Sequence, residues 1–156
     1  YIVGDSLTVG AQPYLEENLP SDNTTLLGID AVGGRSAGNG IDALLSSSQA
    51  QNANTWVLAL GTNDNDDPNT IGEDVQRVMN AAGKRNVYWV NVVRPGYFRI
   101  NAKLVNLASI YKNLEIIDWA ALTNAHPEYL AGGDGVHAND EGYQARSNMI
   151  IQALRG

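Results

Sequence analysis

A serine close to the amino terminus has the surroundings of a nucleophile. Ser6 follows the apolar stretch Tyr1-Ile2-Val3 and the pair Gly4-Asp5. The glycine permits a tight turn, and a helix beginning at the serine would offer free N–H groups and its positive dipole end to a developing negative charge. The tripeptide therefore suits a nucleophilic serine, although taken alone it also fits an ordinary turn with a helix cap.

A second group of residues, near the carboxyl terminus, could supply a general base. Asp134 lies three residues before His137, which is one of only two histidines. An acid at this spacing can accept a hydrogen bond from Nδ1, which fixes the imidazole tautomer and leaves Nε2 free to take a proton. A surface Asp-Gly turn with an incidental histidine is the alternative. The other histidine, His126, precedes Pro127, has no such partner in sequence and is predicted to be a solvated loop residue.

The segment Gly61-Thr62-Asn63-Asp64 offers a neutral hydrogen-bond donor. The side-chain amide of Asn63 could donate into a pocket without bringing a charge, as an oxyanion hole requires. The same segment could equally be a loop that caps a helix beginning at Thr70. The motif alone leaves these two interpretations open.

Short apolar runs alternate with helical patterns along the whole chain. Strands are predicted at residues 1–3, 25–29, 56–60, 87–93 and 114–117. Helices are predicted at residues 9–18, 41–48, 71–82 with Gly83 as terminator, 101–111, and 139–154 with Asn139 as N-cap. Strands separated by helices imply right-handed crossovers and a parallel sheet covered on both faces. The pattern predicts an α/β fold, a three-layer α/β/α sandwich of about five parallel strands, as one domain over residues 1–156.

This fold would gather the three polar segments at one place. Ligands bind beyond the carboxyl ends of the strands in such sheets, and the segments follow the first, third and fifth predicted strands. A serine, a donor amide and an Asp/His pair at one sheet edge predict a Ser–His–Asp acyl-transfer site.

Composition excludes several other classes of protein. The chain of 156 residues is 44% hydrophobic and 17% charged, which is typical of a globular domain, and it has no cysteine for a disulfide, a thiol nucleophile or a Cys-ligated zinc. A net charge of −7 with scattered Lys and Arg argues against nucleic-acid binding. No metal or other cofactor is expected, since the spacing of the acidic residues does not match an EF-hand and predicts a solvated loop: Asp64, Asp66 and Asp67.

The same segments resemble the blocks of the SGNH (GDSL-type) hydrolase superfamily, over nearly the whole chain. The resemblance implies a flavodoxin-like SGNH hydrolase fold with Ser6 as nucleophile and Asp134 and His137 completing the triad. It also implies an oxyanion hole formed by Ser6, Asn63 and a glycine of the second block. In Val32-Gly33-Gly34-Arg35-Ser36 this glycine is Gly33 or Gly34, and Gly34 is favoured because a polar residue and then a serine follow it.

Within the superfamily the sequence looks like the extracellular catalytic domain of bacterial peptidoglycan O-acetyltransferases. The likeness rests on the segments 90–95, 116–119 and 126–130, with Asn101 between the first two. It implies ping-pong transfer through an acetyl-serine, with an acetyl donor and a carbohydrate acceptor as partners. It also implies an extracellular location, as one domain of a longer protein that is tethered to the membrane by an upstream region.

The sequence offers three candidate substrate-binding residues and is compatible with two alternative functions. Arg35, from the Gly-Arg pair of the second block, and Arg94 and Tyr97, from the loop after the fourth strand, are predicted to bind substrate, although Tyr97 could instead close the core. Asp64 is common in hydrolases of the superfamily, so an O-acetyl esterase or small-ester hydrolase is the first alternative. A non-catalytic flavodoxin-like binding module is the second. It is disfavoured because residues 4–8 match no phosphate-binding loop.

Overall fold

A computed structural model describes all residues, 1–156. Its sheet has five parallel strands in the order β2-β1-β3-β4-β5. The strands are β1 (Ile2–Gly4), β2 (Ile29–Ala31), β3 (Thr55–Ala59), β4 (Asn86–Val90) and β5 (Leu114–Ile117). The helices are α1 (Ser6–Asn18), α2 (Ala37–Ser46), α3 (Ser48–Asn52), α4 (Pro68–Ala82), α5 (Arg99–Ile110), α6 (Trp119–Ala125) and α7 (Asp140–Arg155). A 3₁₀ turn covers Pro127–Tyr129.

Helices cover both faces of the sheet and bury two separate apolar layers. One layer packs α2, α3, α4 and α5 against the sheet around Trp56 and Trp89. The other packs α1, α6 and α7 around Trp119. The strands run as continuous apolar sequence because both of their faces are covered. The predicted three-layer α/β/α sandwich with five parallel strands is confirmed.

Several predicted elements match the structure closely. The strand at 114–117 is β5. Asn139 caps α7 by accepting a hydrogen bond from Gly142 N–H at 2.9 Å. Gly83 ends α4 with a φ of 61°, a left-handed conformation that favours glycine. These boundaries depend on local signals, which explains why the sequence indicates them well.

The second strand and the third-to-fourth crossover differ from the prediction. Residues 25–28 are not a strand, and β2 begins at Ile29, because β1 is short and Ile2 pairs with Ile29. The helix predicted to begin at Thr70 or 71 begins at Pro68, since the side chain of Asp67 accepts the N–H of Asn69. Thr70 is therefore not the N-cap.

Three further helix boundaries were missed. α1 begins at Ser6 rather than at Val9, because Asp5 caps it. The helix predicted at 41–48 is two helices, and Ser47 ends α2 and caps α3. α6 has only seven residues, too few to show a period in sequence. None of the helices combines the length and the apolar character needed to cross a bilayer.

Candidate active site

A hydrogen-bonded relay joins the two ends of the chain. Ser6 Oγ lies 3.0 Å from His137 Nε2, and His137 Nδ1 lies 2.6 Å from Asp134 Oδ2. Ser6 is the first residue of α1, directly beyond the carboxyl end of β1, and the other two residues belong to the loop before α7. The structure therefore brings together the three residues predicted as a triad.

Backbone hydrogen bonds fix the loop that carries the histidine. His137 O accepts a hydrogen bond from Ala131 N–H at 2.7 Å, and Leu130 and Ala138 form an isolated antiparallel bridge. Asp134 Oδ1 accepts the N–H groups of Val136 and His137 at 2.8 and 3.0 Å. One carboxylate thus shapes the turn with one oxygen and orients the imidazole with the other.

The electrostatics of Asp134 suit a residue that orients a base. Its hydrogen bond to His137, followed by those from the two backbone N–H groups, lowers the pKa of Asp134 from 3.8 to about 2. The carboxylate is therefore ionised at neutral pH and accepts from Nδ1–H. In the neutral imidazole with its proton on Nδ1, Nε2 can accept a proton from Ser6 Oγ.

The three residues predicted for the oxyanion hole each keep an N–H donor that binds no backbone carbonyl of the protein. The N–H of Ser6 donates to no other backbone group or side chain. Asn63 Nδ2 donates to the carbonyl of Arg35 at 3.0 Å, which uses one of its two amide hydrogens. Gly34 has a φ of 73°, whereas Gly33 has no such left-handed conformation. Only the position of Gly34 therefore requires glycine, and the N–H of Gly34 donates no backbone hydrogen bond.

A small polar cavity of about 290 Å³ opens at the relay. It is lined by Ser6, Asn63, Arg94, Pro95, Asp134, Val136 and His137. Arg94 lies over the ring of Tyr97, with 5.6 Å to the centroid, and donates to the carbonyl of Thr62 at 2.7 Å. The predicted substrate residue Arg94 is thus held at the wall of the cavity.

The other two predicted substrate residues do not reach this cavity. Arg35 Nη2 forms an ion pair with Asp30 Oδ1 at 2.9 Å, and its Nη1 donates to the carbonyl of Asp30 at 3.0 Å. Tyr97 donates its O–H to the carbonyl of Asp64 at 2.6 Å and packs against the core. Both side chains are satisfied within the protein, so their placement does not support direct contact with substrate.

The acidic loop after β3 is partly exposed to solvent, as predicted, but its three carboxylates also bind backbone N–H groups. Asp64 Oδ2 accepts the N–H of Ala37 at 2.9 Å, in the first turn of α2. Asp66 accepts the N–H groups of residues 98–100 at the start of α5, at distances of 2.8 to 3.2 Å. Asp67 caps α4. Each carboxylate therefore binds the start of a different helix, where free N–H groups and the helix dipole favour it.

His126 is a partly exposed loop residue, as predicted, with 45% of its side chain exposed. Its Nδ1 lies 2.9 Å from Glu128 Oε1, and its ring stacks on Tyr129 with centroids 4.9 Å apart. His126 thus has an acidic partner that the sequence analysis did not identify. The partner lies two residues after the histidine, whereas the acid sought in the sequence preceded it.

The sequence analysis did not identify two buried charged residues, one directly before the serine and one on α7. Asp5 and Arg146 are 0% and 2% exposed. The sequence held one signal for Arg146, because it falls four residues before Ile150 on the buried face of α7. A charged residue at an apolar helical position indicates a buried polar contact.

The fold is that of solved GDSL-type (SGNH) lipases and acylhydrolases. Two solved structures share the fold over nearly the whole chain. The lipase/acylhydrolase from Enterococcus faecalis superposes with a TM-score of 0.78 and 18% sequence identity. The match covers 99% of this chain and 94% of the acylhydrolase chain. A member of the lipolytic G-D-S-L family from Veillonella parvula superposes with a TM-score of 0.75 and 20% sequence identity. This match covers 99% of this chain and 96% of the Veillonella chain.

The sequence is also similar to curated bacterial O-acetyltransferases. The chain is 28% identical over 156 residues to the peptidoglycan O-acetyltransferase OatA of Listeria monocytogenes, which covers 97% of this chain and 23% of that protein. It is 27% identical over 158 residues to a putative O-acetyltransferase of Staphylococcus aureus, which covers 99% of this chain and 24% of that protein. The chain thus spans about a quarter of the length of these relatives. No family model matches it. The predicted resemblance is confirmed.

Proposed function

We propose that this chain is the catalytic domain of a serine-dependent O-acetyltransferase that acetylates sugar hydroxyls of peptidoglycan. One observation carries the proposal: an Asp134–His137–Ser6 relay, with heavy atoms 2.6 and 3.0 Å apart, opens into a small polar cavity. The sequence relatives are named O-acetyltransferases, which supports acetyl as the transferred group.

The first half-reaction acetylates the serine. His137 Nε2 takes the proton of Ser6 Oγ as this oxygen attacks the carbonyl carbon of an acetyl ester. The carbonyl oxygen becomes an oxyanion, stabilised by the N–H groups of Ser6 and Gly34 and by the amide of Asn63. When the tetrahedral intermediate collapses, the ester C–O bond breaks and His137 returns the proton to the departing alcohol.

The second half-reaction moves the acetyl group to its acceptor. His137 removes a proton from a sugar hydroxyl, whose oxygen attacks the acetyl-serine carbonyl. Collapse of this second intermediate forms the new ester and returns the proton to Ser6 Oγ. The same two carbonyl intermediates use one oxyanion hole, so the enzyme needs no second site for the chemistry.

The cavity supports a short acyl group and a polar alcohol. Its volume is about 290 Å³, and Val136 and Pro95 are the apolar side chains among seven lining residues. A long acyl chain would need an extended apolar wall, which this cavity does not provide. The exposed guanidinium of Arg94 offers hydrogen-bond donors to the acceptor sugar or its substituents.

The proposed cellular location follows from the substrate. Peptidoglycan lies outside the cytoplasmic membrane, so an enzyme that modifies it acts at the extracellular face. We place the membrane tether in a part of a longer protein outside residues 1–156, in line with relatives about four times as long.

An O-acetyl esterase is the second candidate, and the openness of the relay favours it. The side chains of His137 and Asp134 are 47% and 50% exposed, so water can reach the acetyl-serine from the imidazole side. Asp64, which suggested a hydrolase in the sequence, caps α2 and does not line the cavity. Its presence therefore does not favour hydrolysis.

A partition experiment separates the two functions. The protein is incubated with p-nitrophenyl acetate with and without a chito-oligosaccharide, and free acetate and acetylated sugar are both measured. A transferase gives acetylated sugar at the expense of free acetate as acceptor rises. Free acetate alone, with abundant acceptor, would indicate the esterase. Ser6→Ala is the matched control, and acetylated sugar formed by that variant would contradict the proposed chemistry.

Covalent labelling tests the proposal against a non-catalytic module. A fluorophosphonate reacts with serines that an adjacent base activates. We expect label on Ser6, and none after His137→Ala. An intact, folded sample that takes no label would favour a binding module.

A further inference from the structure

Two buried charged residues, one of them adjacent to the nucleophile in sequence, neither donate nor accept a proton in the acyl-transfer steps. Asp5, the residue before Ser6, and Arg146 of α7 are both in the buried core. The Arg146 guanidinium stacks over Trp119, 5.1 Å from the ring centroid. Charged side chains are rarely buried unless a partner compensates them, so the two residues call for a shared explanation.

The region around the pair is rich in polar atoms that the protein leaves unpaired. Six buried side-chain atoms have no hydrogen-bond partner in the protein: Asp5 Oδ2, Thr8 Oγ1, Trp119 Nε1, Arg146 Nε, Arg146 Nη1 and Ser147 Oγ. They belong to the start of α1, to α6 and to α7, which cover the same face of the sheet. Buried polar atoms without a protein partner are generally satisfied by ordered water.

The two charges act on each other although no direct ion pair joins them. Burial raises the pKa of Asp5, and the Arg146 guanidinium opposes that rise. Burial also lowers the pKa of Arg146 to about 10, so the guanidinium is still charged at neutral pH. A charged arginine facing a buried carboxylate favours the ionised form of that carboxylate.

We propose that Asp5 and Arg146 form a water-bridged ion pair, and that Arg146 is a positioning residue that keeps a negative charge on Asp5 behind Ser6 and His137. The proposal rests on the proposed function in one respect, the identity of Ser6 as nucleophile. The pairing itself does not depend on that function.

The charge on Asp5 has two consequences for the site. Asp5 Oδ1 accepts the N–H of Leu7 at 3.0 Å, which fixes the first turn of α1 and leaves the N–H of Ser6 free. The positive charge of His137 also lowers the pKa of Asp5, so a negative charge on Asp5 in turn stabilises the imidazolium that forms when the serine is deprotonated. The other polar groups near Asp5 are the hydroxyl of Thr62 and, on α7, Arg146 and Tyr143.

A double-mutant cycle tests the pair. Asn at position 5 keeps the cap but removes the charge, and Met at position 146 keeps much of the volume. Asp5→Asn and Arg146→Met should each lower the urea midpoint, because each leaves one buried charge uncompensated. The double variant should recover the wild-type midpoint or exceed it. Changes that simply add would overturn the pairing.

Activity shows whether the pair does more than stabilise the fold. We expect kcat/KM to fall by about tenfold in both single variants and to stay low in the double variant. The acid limb of the kcat/KM profile should move to lower pH in Asp5→Asn, because the imidazolium loses a nearby negative charge. A double variant with wild-type kcat/KM would show a merely structural role and overturn the positioning proposal.

Two further variants keep the test decisive. Glu141→Gln removes an exposed charge from the first turn of the same helix. It should leave the pH profile unchanged and lower the midpoint only slightly, through the helix dipole. Arg146→Lys preserves the buried charge and should keep the acid limb at its wild-type position, even if Arg146→Met fails to fold. A limb displaced as far as in Asp5→Asn would contradict the proposal. Failure of the proposed function would remove turnover but leave the unfolding cycle readable.

Discussion

The side-chain amide of Asn63 donates a 3.0 Å hydrogen bond to the backbone carbonyl of Arg35. This contact joins the loop after β3 to the loop after β2, which carries Gly34. Two candidate donors of the oxyanion hole are thus held in a fixed relation by one amide group. The second amide hydrogen of Asn63 remains available for the oxyanion.

Replacing Asn63 should therefore damage catalysis more than binding. Loss of one oxyanion donor costs roughly 10²- to 10³-fold in turnover, so Asn63→Ala should lower kcat on p-nitrophenyl acetate by about that factor with little change in KM. Asn65→Ala, at an exposed position in the same loop, is the matched control. Equal turnover in the two variants would exclude Asn63 from the oxyanion hole.

Asp64 should affect the stability of the site without deciding the fate of the acetyl group. Asp64→Ala removes the acceptor of the Ala37 N–H, and loss of such a helix cap costs about 0.5–2 kcal/mol of unfolding free energy. Asp64→Asn keeps an acceptor and should be milder. Neither variant should change the ratio of acetylated sugar to free acetate. A ratio that moves toward transfer in Asp64→Asn would show that the acid selects water.

Gly135 provides a steric test of how the histidine is positioned. Its φ is 66°, and a Cβ there would lie 2.9 Å from Pro95 Cγ, whereas Gly133, with a φ of 97°, has open space around it. Both alanine variants would be strained by the positive φ, at a cost of roughly 1–2 kcal/mol. Only Gly135→Ala should also displace the His137 loop, and we expect it to lose more kcat than Gly133→Ala. Similar kcat values would contradict this account.

The pH dependence of stability follows from Asp134. The pKa of Asp134 is lowered from 3.8 to about 2, chiefly by its hydrogen bond to His137. A depressed folded-state pKa means that the carboxylate stabilises the fold above the unfolded value. This contribution is lost as pH falls from about 3.8 through about 2. In urea unfolding, the difference between wild type and Asp134→Ala should therefore be largest above pH 4 and shrink on acidification. A difference that grows at low pH would have the wrong sign.

Local signals predicted the triad, and long-range contacts explain what the sequence did not indicate. Ser6 and His137 could be paired in advance because parallel strands end at one sheet edge. The caps that Asp64 and Asp66 provide could not, because each joins a loop to a helix about 30 residues away. The ion pair of Arg35 with Asp30 could not be predicted for a similar reason, since only the fold shows that Asp30 satisfies this guanidinium.

Trapping the acyl-enzyme tests the central claim most directly. The protein is mixed with p-nitrophenyl acetate, quenched in acid, digested and mapped by mass spectrometry. We expect one acetyl group, on the peptide that carries Ser6, and none in Ser6→Ala. Acetyl groups on another residue with Ser6 unmodified, or wild-type turnover by Ser6→Ala, would contradict a nucleophilic Ser6.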